Sequence, residues 1–206
     1  MSAARGKPPK RAAKRAVERT PAKRTGTGAK PSARGTVRTG PHERAQSAPR
    51  TIVLALITVS DTRRGLEDTS GALAAELLTR AGHRIGERAW VADDIPAIRR
   101  ALRAALAKRD VDAVVLTGGT GVAPRDVTPE AVEPMLERAL PGFGEGFRMQ
   151  SWATVGSAAW LSRAGAGVAR GRLVVYLPGS AGAVGQALEQ LLIPELVHVV
   201  RLLGRF

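Results

Sequence analysis

Three glycines within four residues, Gly118, Gly119 and Gly121, are followed by a basic and an acidic side chain, Arg125 and Asp126. Glycines let the backbone turn sharply and let a ligand approach main-chain atoms closely. An apolar run at 111–116 precedes them, and Pro129-Glu130-Ala131-Val132 reads as the first turn of a helix. Strand, glycine turn and helix start together form a common grip for phosphate groups. The turn lacks the Gly-Lys-Ser/Thr end of a P-loop and the Gly-x-Gly-x-x-Gly spacing of a dinucleotide fold. Gly165-Ala166-Gly167-Val168-Ala169-Arg170 likewise ends in Arg where a third glycine belongs.

Two acids could handle a magnesium ion or a proton beside bound phosphate: Asp126, and Asp93 in the pair Asp93-Asp94. Each also reads as a helix cap, Asp126 for a helix at Thr128 and the pair for a helix at Ile95, and spacing alone favours capping. Ser60 and Asp61 end the first strand, where a solvated turn is the simplest reading. No histidine is placed to activate Ser60 as a nucleophile. Arg125, Arg148 and Arg163 offer planar forks to anions. Gly142-Phe143-Gly144-Glu145-Gly146-Phe147-Arg148 has too many glycines for an easy helix. It reads either as a loop shaped around a ligand or as a segment whose Phe143 and Phe147 anchor a subunit contact.

The elements that must position these residues alternate between strand and helix. Residues 52–59 form a nearly unbroken aliphatic run, as expected of a strand buried on both faces. Asp68-Thr69-Ser70 offers caps to a helix marked by Leu73, Leu77 and Leu78, which Gly82 stops. A strand is expected at 84–91, a helix from Ile95 to near Lys108, and a strand at 113–116. A helix at 129–140, a largely helical stretch at 142–164 and a buried strand at 173–177 follow. Two last helices run from Ser180 to about residue 192 and over 194–203. This alternation calls for a three-layer α/β/α sandwich with a mainly parallel sheet. Ligands in such sheets collect at the carboxyl ends of the strands. Ser60-Asp61-Thr62, Asp93-Asp94, the glycine turn and Pro178-Gly179-Ser180 all fall at such ends and point to one composite site.

The chain has 206 residues, and its 44% apolar content supports a real core. It has no cysteine, which excludes disulfides, a thiol nucleophile and cysteine-ligated zinc and fits a cytoplasmic setting. His42, His83 and His198 lie too far apart to suggest a metal cluster. No apolar run approaches the roughly 18 residues of a membrane span, and no apolar secretory signal is present. The net charge of +14 belongs to one end: residues 1–50 carry 14 Lys/Arg against two acids and contain no Ile, Leu, Phe, Trp or Tyr. Such a segment is expected to be a disordered basic tail ahead of a domain at 51–206. The simplest reading of it is a solvated, solubilising extension; alternatively its charge would favour sequence-blind contact with nucleic acid, since it has no aromatic ring for base stacking.

Taken together the motifs resemble the MoaB/MogA family of molybdenum cofactor biosynthesis proteins. The likeness rests on Thr58-Val59-Ser60-Asp61-Thr62, Asp68-Thr69-Ser70-Gly71 and Thr117-Gly118-Gly119-Thr120-Gly121 with Pro124-Arg125-Asp126-Val127-Thr128. It continues in Pro141-Gly142-Phe143-Gly144-Glu145, Leu161-Ser162-Arg163-Ala164 and Leu177-Pro178-Gly179-Ser180, in collinear order. The resemblance implies a molybdopterin-binding α/β domain assembled as a homo-oligomer, trimeric or, in MoaB-like members, hexameric. It also implies transfer of AMP from Mg-ATP to the molybdopterin phosphate in MogA-like members. Asp93 and Asp126 match the family's key acids and are expected to help hold Mg²⁺. Ser60, Asp61, Asp68, Gly118, Gly119, Thr120, Gly121, Arg125, Thr128, Ser162, Arg163, Pro178, Gly179 and Ser180 are the expected substrate- and nucleotide-binding residues. One departure is Ala181, where the family usually carries proline, which implies a less rigid loop. Ile193-Pro194-Glu195-Leu196 and the short C-terminus look more MoaB-like. The alternative is a non-catalytic molybdopterin-binding scaffold of the same fold. A CinA-like nucleotide hydrolase fits less well, because paired aspartates do not follow the glycine turn.

Overall fold

The structure is a computed structural model and describes residues 50–62 and 65–206. The expectations for the basic tail therefore lie, apart from Arg50, outside the described residues. Four strands pair in parallel: β1 (Val53–Val59), β2 (Arg84–Val91), β3 (Ala113–Thr117) and β6 (Arg172–Leu177). Two antiparallel strands, β5 (Gly165–Ala169) and β4 (Arg138–Ala139), extend the sheet on the β6 side. The order is β2-β1-β3-β6-β5-β4.

The apolar runs become central strands because both sheet faces are covered. Leu54, Leu56, Val115 and Val175 face a core completed by α1 (Thr69–Arg80), α4 (Pro141–Val155), α5 (Ala181–Ala187) and α6 (Ile193–Leu202). Ala55, Ile57, Val114 and Val174 face the opposite core, under α2 (Ile95–Ala107) and α3 (Thr128–Val132). Alternating side chains thus feed two cores, and the mixed α/β sandwich stands as expected.

Three local expectations need correction. The helix expected at 129–140 ends as an α-helix at Val132 and tightens into a 3₁₀ turn at Glu133–Met135. Pro134 removes a donor there, and Arg138–Ala139 then becomes a short edge strand. The segment from Gly165 is a fully buried strand and was missed, because two glycines masked its apolar character. Finally, the glycine-rich segment at 142–148 is not a loop shaped around a ligand, because it belongs to helix α4. Phe147 is buried in the core and Phe143 packs against it. Gly144 is required because a Cβ there would approach the Ala164 carbonyl oxygen within 2.6 Å.

The chain leaves β1 through α1 toward β2, then crosses back through α2 to β3 on the other side of β1. The loops after β1 and β3 therefore diverge and leave a crevice between them, the usual ligand position in such sheets.

Candidate functional site

A cleft of about 360 Å³ opens at this crevice. Its wall includes Ser60 and Asp61 after β1, Asp93 after β2, Gly118 to Gly121 with Arg125 and Asp126 after β3, and Pro178, Gly179 and Ser180 after β6. Four strand ends thus converge as anticipated, and Thr62 joins them.

The glycine turn has little freedom to be anything else. Gly118 sits at φ +105°, and a Cβ on it would run into the Val59 carbonyl. Gly119 sits at φ +63°, and its Cβ would lie 2.9 Å from Asp93 Oδ1. That contact places Asp93 directly against the turn. The turn's carbonyls are engaged in series. Gly118 O accepts from Thr128 Oγ1 at 2.8 Å, and Gly119 O accepts from Thr128 N at 2.9 Å. Thr120 O accepts from Arg163 N at 2.9 Å, and Gly121 O accepts from Arg163 Nε at 2.8 Å. Carbonyls held in this way leave the amide edge of the turn for an anion.

The capping question resolves differently for each acid. Asp94 caps α2, accepting from Ala97 N at 2.9 Å, and its neighbour Asp93 is left for the cleft. Asp126 does not cap α3, whose first turn has no side-chain cap. Its carboxylate accepts from Ala123 N at 3.0 Å inside the loop. Asp61 accepts from Asp93 N at 3.1 Å. Burial pushes the Asp93 carboxyl above its ordinary value, and the like charges of Asp61 and Asp126 add to the shift; Arg125 opposes it. A cation at this spot would relieve the repulsion.

Four of the expected binding residues stand elsewhere or serve the wall from behind. Asp68 is buried at the N-terminus of α1, which it caps as expected: it accepts from Thr58 Oγ1 at 2.7 Å, Gly71 N at 2.8 Å and Trp90 Nε1 at 3.0 Å. Ser70 Oγ and Arg88 Nη2 also reach it, each at 3.2 Å. Burial alone would raise its carboxyl, but the Thr58, Gly71, Trp90 and Ser70 hydrogen bonds hold it below the ordinary value. Thr128 is buried and serves the glycine turn from behind. Ser162 and Arg163 line a larger cavity of about 690 Å³ on the far side of the turn.

Sequence reasoning missed that cavity. Glu130, Glu133, Trp160 and Tyr176 reach it from separate elements, and no local spacing announces them. Arg148, singled out earlier as an anion fork, also lines it. Tyr176 donates to Glu133 Oε1 at 3.0 Å, and burial together with that carboxylate holds the phenol strongly upward. The smaller cleft is the candidate site because it collects the glycine turn and both key acids.

A mixed α/β sandwich with a glycine-lined cleft at its switch point defines a domain suited to anionic ligands. Residues 55–198 match the family described as a probable molybdopterin binding domain. The chain belongs to this family of molybdenum cofactor biosynthesis proteins, on its MoaB-like side. It is 49% identical over 160 residues to molybdenum cofactor biosynthesis protein B of Bacillus subtilis (strain 168), covering 77% of this chain and 94% of that protein. A crystal structure of a molybdenum cofactor biosynthesis protein B superposes with a TM-score of 0.75 at 44% identity, over 78% of this chain and all of that one. The tungsten cofactor synthesizing protein MoaB from Pyrococcus furiosus matches with a TM-score of 0.64 at 37% identity, over 75% of this chain and 98% of that one. Among the described residues no helix is long and apolar enough to cross a membrane.

Proposed function

We propose that this protein binds molybdopterin and ATP at the cleft and transfers AMP to the terminal phosphate of molybdopterin. A phosphate oxygen of molybdopterin bonds to the α-phosphorus of ATP. The bond from that phosphorus to its bridging β-oxygen breaks, and pyrophosphate leaves with the electron pair. The attacking group is already an anion, so the reaction needs no activated Ser or Cys. What the reaction demands is that two polyanions be held together against their repulsion.

The cleft residues suit that demand. The amides of residues 119–121 and the Arg125 guanidinium supply positive partners for phosphate oxygens. Ser60, Pro178, Gly179 and Ser180 form the facing wall. Asp93 and Asp126 would hold Mg²⁺, which when bound offsets the charge of the transferring phosphates. The donor set fits: both are hard oxygen ligands, and Asp93 faces the like charges of Asp61 and Asp126, which Arg125 only opposes in part. Among the described residues no group of three or more His, Cys, Asp or Glu forms a metal cage. That agrees with an ion held by one or two carboxylates plus substrate phosphates.

The observation that carries this reading is the convergence of Asp93, Asp126 and the glycine turn on one crevice. The deciding experiment mixes purified protein, molybdopterin and Mg-ATP and measures adenylylated molybdopterin. Product is expected, and Asp126→Asn is expected to abolish most of it at saturating Mg-ATP. Unchanged turnover in that variant would remove Asp126 from the mechanism. Calorimetric binding without product would instead identify a molybdopterin-binding scaffold.

The reading includes assembly as a homo-oligomer, trimer or hexamer. Met149, Trp152, Val155 and Trp160, on α4 and the turn after it, are each more than half exposed. Clustered exposed apolar side chains mark interaction surfaces. Trp152→Glu is expected to shift the mass measured by light scattering toward a single chain.

A further inference from the structure

One side chain that lines the larger cavity, Arg163, also grips the loop that lines the cleft. Arg163 donates from Nε to Gly121 O at 2.8 Å and from Nη2 to Asp126 O at 2.6 Å. Its Nη1 pairs with Glu130 Oε1. The two carbonyls bracket the loop at 121–126, which carries Arg125 and Asp126 into the cleft. Inside that loop Ala123 N meets the Asp126 carboxylate, and Asp126 N donates to Ala123 O at 2.8 Å. Val122, Ala123, Pro124 and Arg125 are exposed, and α3 supplies no cap that would orient Asp126. Arg163 is itself held in place: Arg148 Nη1 reaches Ser162 O at 3.3 Å and Ala164 O at 3.4 Å.

We propose that Arg163 is a positioning residue that clamps both ends of the 121–126 loop and so presents Asp126 to the cleft, without itself contacting nucleotide. Its three guanidinium nitrogens each have a protein acceptor, and Glu130 offsets its charge. A planar fork suits two diverging carbonyls, and a lysine would keep the charge but lose the fork. The binding arm of the test rests on the Mg-ATP reading of the cleft; a second arm does not.

Amide hydrogen exchange on the full-length protein is the independent arm. Arg163→Gln is expected to speed exchange at Ala123 and Asp126 roughly tenfold, the scale of one lost charge-assisted hydrogen bond. Arg163→Lys is expected to stay close to the Gln variant; full rescue by lysine would overturn the clamp and leave charge as the cause. Calorimetry with Mg-ATP is the second arm. Arg163→Gln is expected to weaken binding roughly tenfold. Combined with Asp126→Asn it is expected to bind no worse than Asp126→Asn alone, since one residue acts through the other. Fully additive losses would mean that Arg163 touches the nucleotide and would overturn the proposal, as would unchanged exchange. If wild-type protein binds no Mg-ATP, the proposed function falls and the exchange arm decides the clamp by itself.

Discussion

Two carboxylate regions lie near the same end of the sheet, and they are built in opposite ways. Asp68 is closed in by donors from β1, α1 and β2, and it is buried with its carboxyl held low. Asp93 and Asp126 face an open cleft, and at Asp93 the nearest charges include two other aspartates. The first arrangement satisfies its charge with protein; the second leaves charge for something else to satisfy. Residue type and position in a motif do not separate the two. Hydrogen-bond saturation does, and it divides a structural acid from a candidate ligand-holding one.

Breaking the saturated cluster should have the largest effect. Asp68→Ala strands the Thr58, Trp90 and Arg88 donors and is expected to cost about 3 kcal/mol in urea unfolding, the scale of lost bonds to a buried charge. A loss under about 1 kcal/mol would mean that water replaces Asp68 cheaply and the contrast is false. Gly118→Ala comes next. The strained φ and the Val59 carbonyl should cost about 2 kcal/mol, and Mg-ATP binding should fall with it.

Asp93→Asn sharpens the contrast from the other side. It should weaken Mg-ATP binding roughly tenfold, yet leave unfolding stability the same or slightly higher, within about 0.5 kcal/mol. Marked destabilisation would place Asp93 with Asp68 as a structural acid.

The smallest effect is the pH dependence, which has opposite signs in the two regions. Asp68 has a depressed folded pKa, so its contribution is fully present above the unfolded value of 3.8 and is lost as pH falls through the lower folded value. Asp93 has a raised folded pKa, so its ionisation penalises the fold at higher pH. That penalty fades as pH falls through the raised value and is gone below 3.8. The stability deficit of Asp68→Asn should therefore shrink only below pH 3.8, whereas any gain from Asp93→Asn should already be fading above it. Urea titrations of both variants from pH 3 to pH 7 check the signs.

Much of the fold was legible because buried parallel strands need unbroken apolar runs, and β1, β3 and β6 supply them. Strand β5 was not, because its glycines are kept for contact rather than for propensity: a Cβ at Gly167 would approach Leu136 Cδ1 within 2.5 Å. Helix α4 survives its glycines for the same reason, through its packing on Ala164 and Leu191. In the site, the glycine turn announced itself by composition. The larger cavity did not, since Glu133 and Tyr176 meet only across distant elements.

The chain's linear order established the family motifs, the alternation of strand and helix, and the crowding of polar loops at strand ends. Those are properties of neighbours along the backbone, which local sterics and apolar patterning encode. Which aspartate is enclosed on all sides and which faces open space depended on tertiary structure. So did the role of Arg163, expected to meet substrate and found gripping main-chain carbonyls. Such assignments depend on donors that arrive from elsewhere in the chain, and only a folded chain brings them within hydrogen-bonding distance.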